Sequence, residues 1–94
     1  MSAPPSQRVS ISPDALVNIV DREAVVLDLK SEQYFGFNET GARFWTALSE
    51  AGTVDGAWRT LRAEYDVDAD ALLKDLNEFV EKLVARGLIR FDGE

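Results

Sequence analysis

Glu32-Gln33-Tyr34-Phe35-Gly36-Phe37-Asn38, followed at once by Glu39-Thr40-Gly41-Ala42-Arg43-Phe44-Trp45, is the stretch that decides the fold. A short aromatic run with the two-residue period of a strand stops at Asn38, and a helical pattern begins. Phe35 and Phe37 fall on one face of that strand, Tyr34 and Gly36 on the other. Asn38 suits a helix N-cap because its side chain can accept from the free amides of a first turn, and Glu39 complements the positive helix end. What precedes the switch reads as strands, and almost everything after it reads as helices.

Upstream, Leu16-Val17-Asn18-Ile19-Val20 is rich in β-branched residues and reads as a first strand. Asp21-Arg22 sits where a tight turn is needed. Residues 23–29 form a second strand, with Val25, Leu27 and Leu29 on one face, and Lys30-Ser31-Glu32 is a polar turn into the aromatic strand. Three strands joined by short turns make an antiparallel meander. Further upstream, Val9-Ser10-Ile11-Ser12 alternates as a short extended piece, punctuated by Pro13-Asp14. Residues 1–8 carry Pro, Ser and Gln and read as a flexible tail, leaving one domain over residues 9–91.

Downstream, Phe44, Trp45, Leu48 and Ala51 follow helical spacing to a left-handed stop at Gly52. Thr53 caps a second helix striped by Val54, Ala57, Trp58, Leu61 and Tyr65. The last helix spans about residues 69–86. Leu72, Leu76, Phe79 and Leu83 form its seam, widened by Leu73, Val80 and Val84. Glu78 and Lys82 stand four apart in the favourable order. Gly87 ends it, and Leu88-Ile89-Arg90-Phe91 is an extended tail able to pack back on the core. Strands first and helices after give an α+β class by segregation. The broad seam either packs on two neighbours or leaves part of its face for a guest.

Composition narrows the chemistry. The 94 residues hold no Cys and no His, carry a net charge of −7, and are 46% hydrophobic and 29% charged. The balance is that of a small globular domain. Without His or Cys the usual triads, dyads and thiolate or imidazole metal sites are not available. There is no glycine-rich phosphate loop. Asp66, Asp68 and Asp70 resemble the start of a calcium loop, but Ala71 stands where the loop needs Gly and Asn77 where it needs Glu, so capping and solvation are the better reading. The sequence therefore points to no catalytic residues, no metal and no cofactor. Ten scattered basic residues in an acidic chain make a poor phosphate-neutralising surface. No apolar run has the length of a membrane helix and the N-terminus has no signal-peptide core, so a cytoplasmic protein is expected.

At Tyr34-Phe35-Gly36-Phe37-Asn38-Glu39-Thr40-Gly41-Ala42-Arg43-Phe44-Trp45 the chain resembles the PqqD-like family, small peptide-recognition domains of ribosomal natural-product pathways. The valine- and leucine-rich strand Val25-Val26-Leu27-Asp28-Leu29, the helix with Gly41 and Phe44-Trp45, the helix around Asp75-Leu76-Asn77-Glu78-Phe79-Val80-Glu81-Lys82-Leu83, and the terminal Gly87-Leu88-Ile89 complete the pattern. The resemblance covers residues 9–91 and is most similar to the stand-alone recognition proteins of lasso-peptide clusters. Phe37 and Phe44 depart from the aliphatic residues more usual there, which alters groove shape. The resemblance implies a winged helix-turn-helix fold, a three-stranded antiparallel sheet followed by three helices. It further implies a non-catalytic module that binds the leader segment of a precursor peptide as an added strand beside the third strand and against the last helix. The leader would then pass to a cysteine-protease-like leader peptidase and an asparagine-synthetase-like cyclase.

The residues fit that mode in different degrees. A meander leaves an open edge, a template for a further strand. Gln33, Tyr34, Phe35, Gly36 and Phe37 form that candidate edge. Gly36 would let another backbone approach or simply marks a strand irregularity. Tyr34 could wall a pocket with its hydroxyl wet, while Phe35 and Phe37 suit the core better than a guest. The resemblance carries leader contact onto Leu72, Leu76 and Phe79, and Asp75 could meet a basic leader residue or a backbone amide. Two alternatives stand beside this reading: a winged-helix DNA-binding protein, opposed by the charge and by Asp70, Asp75, Glu78 and Glu81 on the last helix, and a dimerising scaffold. The oligomer expected is a monomer or weak homodimer.

Overall fold

The computed structural model describes residues 8–92. The order is β1 (Val9–Ile11), β2 (Ala15–Val20), β3 (Glu23–Asp28), β4 (Gln33–Phe37), α1 (Glu39–Ala51), α2 (Val54–Glu64), α3 (Ala69–Ala85) and β5 (Ile89–Phe91). This is an α+β chain whose three-stranded antiparallel sheet, ordered β2-β3-β4, is followed by three helices.

Turn chemistry sets the sheet. Asp21 and Arg22 both adopt left-handed φ, 51° and 70°. A two-residue hairpin of type I′ needs this combination, which matches the twist of its strands. The register follows, Val20 opposite Glu23 and Ala15 opposite Asp28. The second turn is held by the buried Asp28 carboxylate, which accepts from the Lys30 amide (3.1 Å) and the Ser31 hydroxyl (2.9 Å). Glu32, at φ 60°, leads into β4, which pairs with β3 from Gln33–Asp28 to Phe37–Ala24. The strand expected over residues 23–29 stops at Asp28, although the Leu29 amide still donates to the Asp14 carbonyl in continuation of the β2–β3 ladder.

Each helix begins on a side-chain cap. Asn38, Thr53 and Asp68 accept from the amides of Gly41, Gly56 and Ala71 respectively. Left-handed Gly52 and Gly87 (φ 75° and 73°) close α1 and the turn after α3. The core gathers Val26 from β3, Phe44, Trp45 and Leu48 from α1, Val54 and Leu61 from α2, and Leu72, Leu76, Val80 and Leu83 from α3. Trp58 lies half-buried beside it, its indole N–H donating to the Ala69 carbonyl at 3.0 Å.

The two extended end pieces find each other. β1 and β5 form a separate antiparallel pair, Val9 opposite Phe91 and Ile11 opposite Ile89. The Ser10 hydroxyl adds a bond to the Asp92 carboxylate at 2.6 Å. The tail expected over residues 1–8 lies outside the described residues except for Arg8, which forms an isolated bridge with Thr53. No helix among the described residues is long and apolar enough to cross a membrane.

Candidate functional site

Among the described residues β4 is an edge of its sheet, paired with β3 on one side only. Alternation shows which of its backbone groups stay free. The two-residue turn makes Val20 and Glu23 a hydrogen-bonded pair, so Glu23, Val25 and Leu27 bond toward β2. Ala24, Val26 and Asp28 then bond toward β4, meeting Phe37, Phe35 and Gln33. Tyr34 and Gly36 are left with N–H and C=O directed at the open edge. Their side-chain positions lie on the outer face of the sheet, where Tyr34 is 70% exposed. A Cβ on Gly36 would meet nothing within 4 Å.

The free edge opens on a groove of about 400 Å³ between β4, the start of α1 and α3. Gly36, Phe37 and Asn38 form one side, Thr40, Gly41 and Phe44 the base, and Asp75, Glu78, Phe79, Lys82 and Arg86 the other side. Aromatic rings fix its shape. Phe79 meets Phe37 and Phe44 edge-on, with centroids 5.2 and 5.6 Å apart. Phe37 also stacks on Trp45 at 6.1 Å, tying the wall to the core. The close fit needs Gly41, since a Cβ there would lie 2.9 Å from Phe37 Cβ. At the far end the Arg86 guanidinium sits over the Phe35 ring, 5.0 Å from its centroid.

The sequence-derived residues divide here. Phe37, Gly36, Asp75 and Phe79 line the groove. Phe35 is half-buried beneath Arg86, and Gln33 and Tyr34 are exposed on the strand outside it. Leu72 and Leu76, expected as groove residues, are buried in the core at 5% and 0% exposure. The physical reason is helix phase. The buried stripe of α3 runs Leu72, Leu76, Val80, Leu83, so Val80 takes the inward place assigned to Phe79. Phe79, about 100° around the helix from Val80, turns to the groove.

Glu78, Lys82 and Arg86 also line the groove. Glu78 and Lys82 stand four apart in the order that favours an intrahelical pair, but no ion pair joins them among the described residues. The signal was present in the spacing of Asp75, Phe79, Lys82 and Arg86, which repeat at four, three and four along one helix face. Away from the groove, Arg43 forks onto Glu64 at 2.6 Å, fastening α1 to α2. The Glu64 hydrogen bond raises the Arg43 pKa above the ordinary arginine value.

A family model described as coenzyme PQQ synthesis protein D (PqqD) matches residues 23–89. The structure of TbiB1 in complex with the TbiA(beta) leader peptide is similar, with a TM-score of 0.79 and 31% identity over 89% of this chain and 95% of that one. Lasso peptide synthetase B1 complexed with the leader peptide shares the fold, with a TM-score of 0.78 and 24% identity over 88% of this chain and 98% of that one. No curated protein matches the chain by sequence.

Proposed function

The chain belongs to the PqqD family, and on that premise we propose that it is a non-catalytic module that binds the leader segment of a ribosomally made precursor, a lasso-peptide precursor, by strand addition. The observation that carries this reading is a strand edge that no other described strand pairs, beside an aromatic groove. β4 offers the free backbone of Tyr34 and Gly36, and Phe37, Phe44 and Phe79 present rings next to it. Main-chain bonds supply affinity with little sequence demand, and the groove selects side chains. Antiparallel addition continues a sheet whose pairs are all antiparallel. The similar TbiB1 structure holds a leader peptide, which supports carrying the ligand class over to this chain.

The bound leader is then presented to a leader peptidase and a cyclase, where bond cleavage and ring closure take place. The protein contributes positioning, raising the effective concentration of precursor at those enzymes. The net charge of −7 supports a peptide guest over duplex DNA, which rewards neutralisation of phosphates. The test is a fluorescence-anisotropy titration of labelled leader peptide, with labelled duplex DNA in parallel. Saturable binding of the leader supports the proposal. No leader binding, or salt-sensitive DNA binding in its place, overturns it.

A further inference from the structure

The groove carries opposite charges at its two ends, and this orders the charges of its guest. Along α3 the lining residues run Asp75, Glu78, Phe79, Lys82, Arg86, acidic, then aromatic, then basic. All four charged residues are exposed, and no ion pair among the described residues joins the acidic end to the basic end. Two contacts fix the polarity relative to the strand. Phe79 packs on Phe37 near the end of β4, and Arg86 lies over Phe35, nearer its start. α3 therefore runs opposite to β4, and a strand added antiparallel to β4 runs in the same sense as α3.

We propose that the groove selects a leader segment bearing a cationic residue and, about four residues later, an anionic one, the cation docking at Asp75 and Glu78 and the anion at Lys82 and Arg86. The spacing follows from geometry. The centres of the two charged pairs are separated by about 11 Å of helix rise, or three to four residues of extended chain. Only residues an even number apart share a face of a strand, so four is the spacing that points both charges at α3. The guest residue between them, two along, meets Phe79 and is apolar. Opposite order places like charges together at both ends, which disfavours a reversed or misregistered guest.

This inference rests on the peptide-binding reading of the groove, and the test separates the two. Two labelled ten-residue peptides of equal composition are compared, one with Lys at position 3, Leu at 5 and Glu at 7, the other with Glu and Lys exchanged. At low ionic strength the first should bind about tenfold more tightly, given two exposed pairs gained against two repulsions. The preference should shrink as salt is raised. The charge-inverted protein Asp75→Lys, Glu78→Lys, Lys82→Glu, Arg86→Glu should reverse the order of preference. Its far-UV circular dichroism and melting should show it folded, since all four side chains are solvent-facing. Equal affinity of the two peptides for the parent protein overturns the inference while leaving peptide binding intact. An unchanged preference in the inverted protein does the same. Failure of both peptides to bind the parent protein overturns both.

Discussion

Replacing Phe79 with Ala should separate groove from core. The ring packs edge-on against Phe37 and Phe44 and is half-buried, so part of its surface waits for a guest. An aromatic side chain offers about 150–250 Å². If a leader covers about 80 Å² of Phe79, the contact is worth about 2 kcal/mol at 25 cal/mol per Å², or roughly thirtyfold in Kd. The folded protein also loses two ring contacts and some burial, about 2–3 kcal/mol in total, below the 3–5 kcal/mol typical of a fully buried Phe. The inward stripe of Leu72, Leu76, Val80 and Leu83 is untouched, so the domain should remain folded at 25 °C with a lowered melting point. Anisotropy titration of the leader against parent and variant, with circular dichroism as the folding control, reads both effects. A folded Phe79→Ala protein whose Kd stays within twofold of the parent would refute the assignment of Phe79 to the groove.

Gly36→Pro should abolish measurable leader binding by removing an edge N–H, whereas Gly36→Ala should melt near the parent temperature, since its Cβ enters open space. Titration and melting curves on the pair distinguish backbone from side-chain effects. Gly41→Ala should destabilise by about 1–3 kcal/mol and weaken the leader several-fold, because the new Cβ would push Phe37 from the groove wall; urea unfolding and titration check both. Arg22→Gly should raise stability by about 0.5–1 kcal/mol by relieving φ 70°, seen as a melting point higher by a few degrees, with leader affinity unchanged.

Much of this was legible where local chemistry speaks. The meander, the Asn38, Thr53 and Asp68 caps and the Gly52 and Gly87 stops are each decided within a few residues. The β1–β5 pair is not: Val9 and Phe91 lie near opposite ends of the described residues, and neither short segment names its partner. The groove was half legible. β4 announces its edge position through the meander, but a broad apolar helix does not say which flank turns inward. Val80 and Phe79 both fit helical spacing. Contacts across the fold decide between them: Val80 is buried in the core, and Phe79 rests its ring edge-on against Phe37 and Phe44. The charged groove residues were hidden by an ordinary explanation, since Glu78 and Lys82 at four-residue spacing look like a surface pair.

Hydrogen–deuterium exchange at single-amide resolution tests strand addition most directly. On saturation with leader peptide, the amides of Tyr34 and Gly36 should become strongly protected. Those of Phe35 and Phe37, already bonded to β3, should change little. Saturable leader binding that leaves the Tyr34 and Gly36 amides exchanging as in the free protein would contradict the claim that the β4 edge holds the guest.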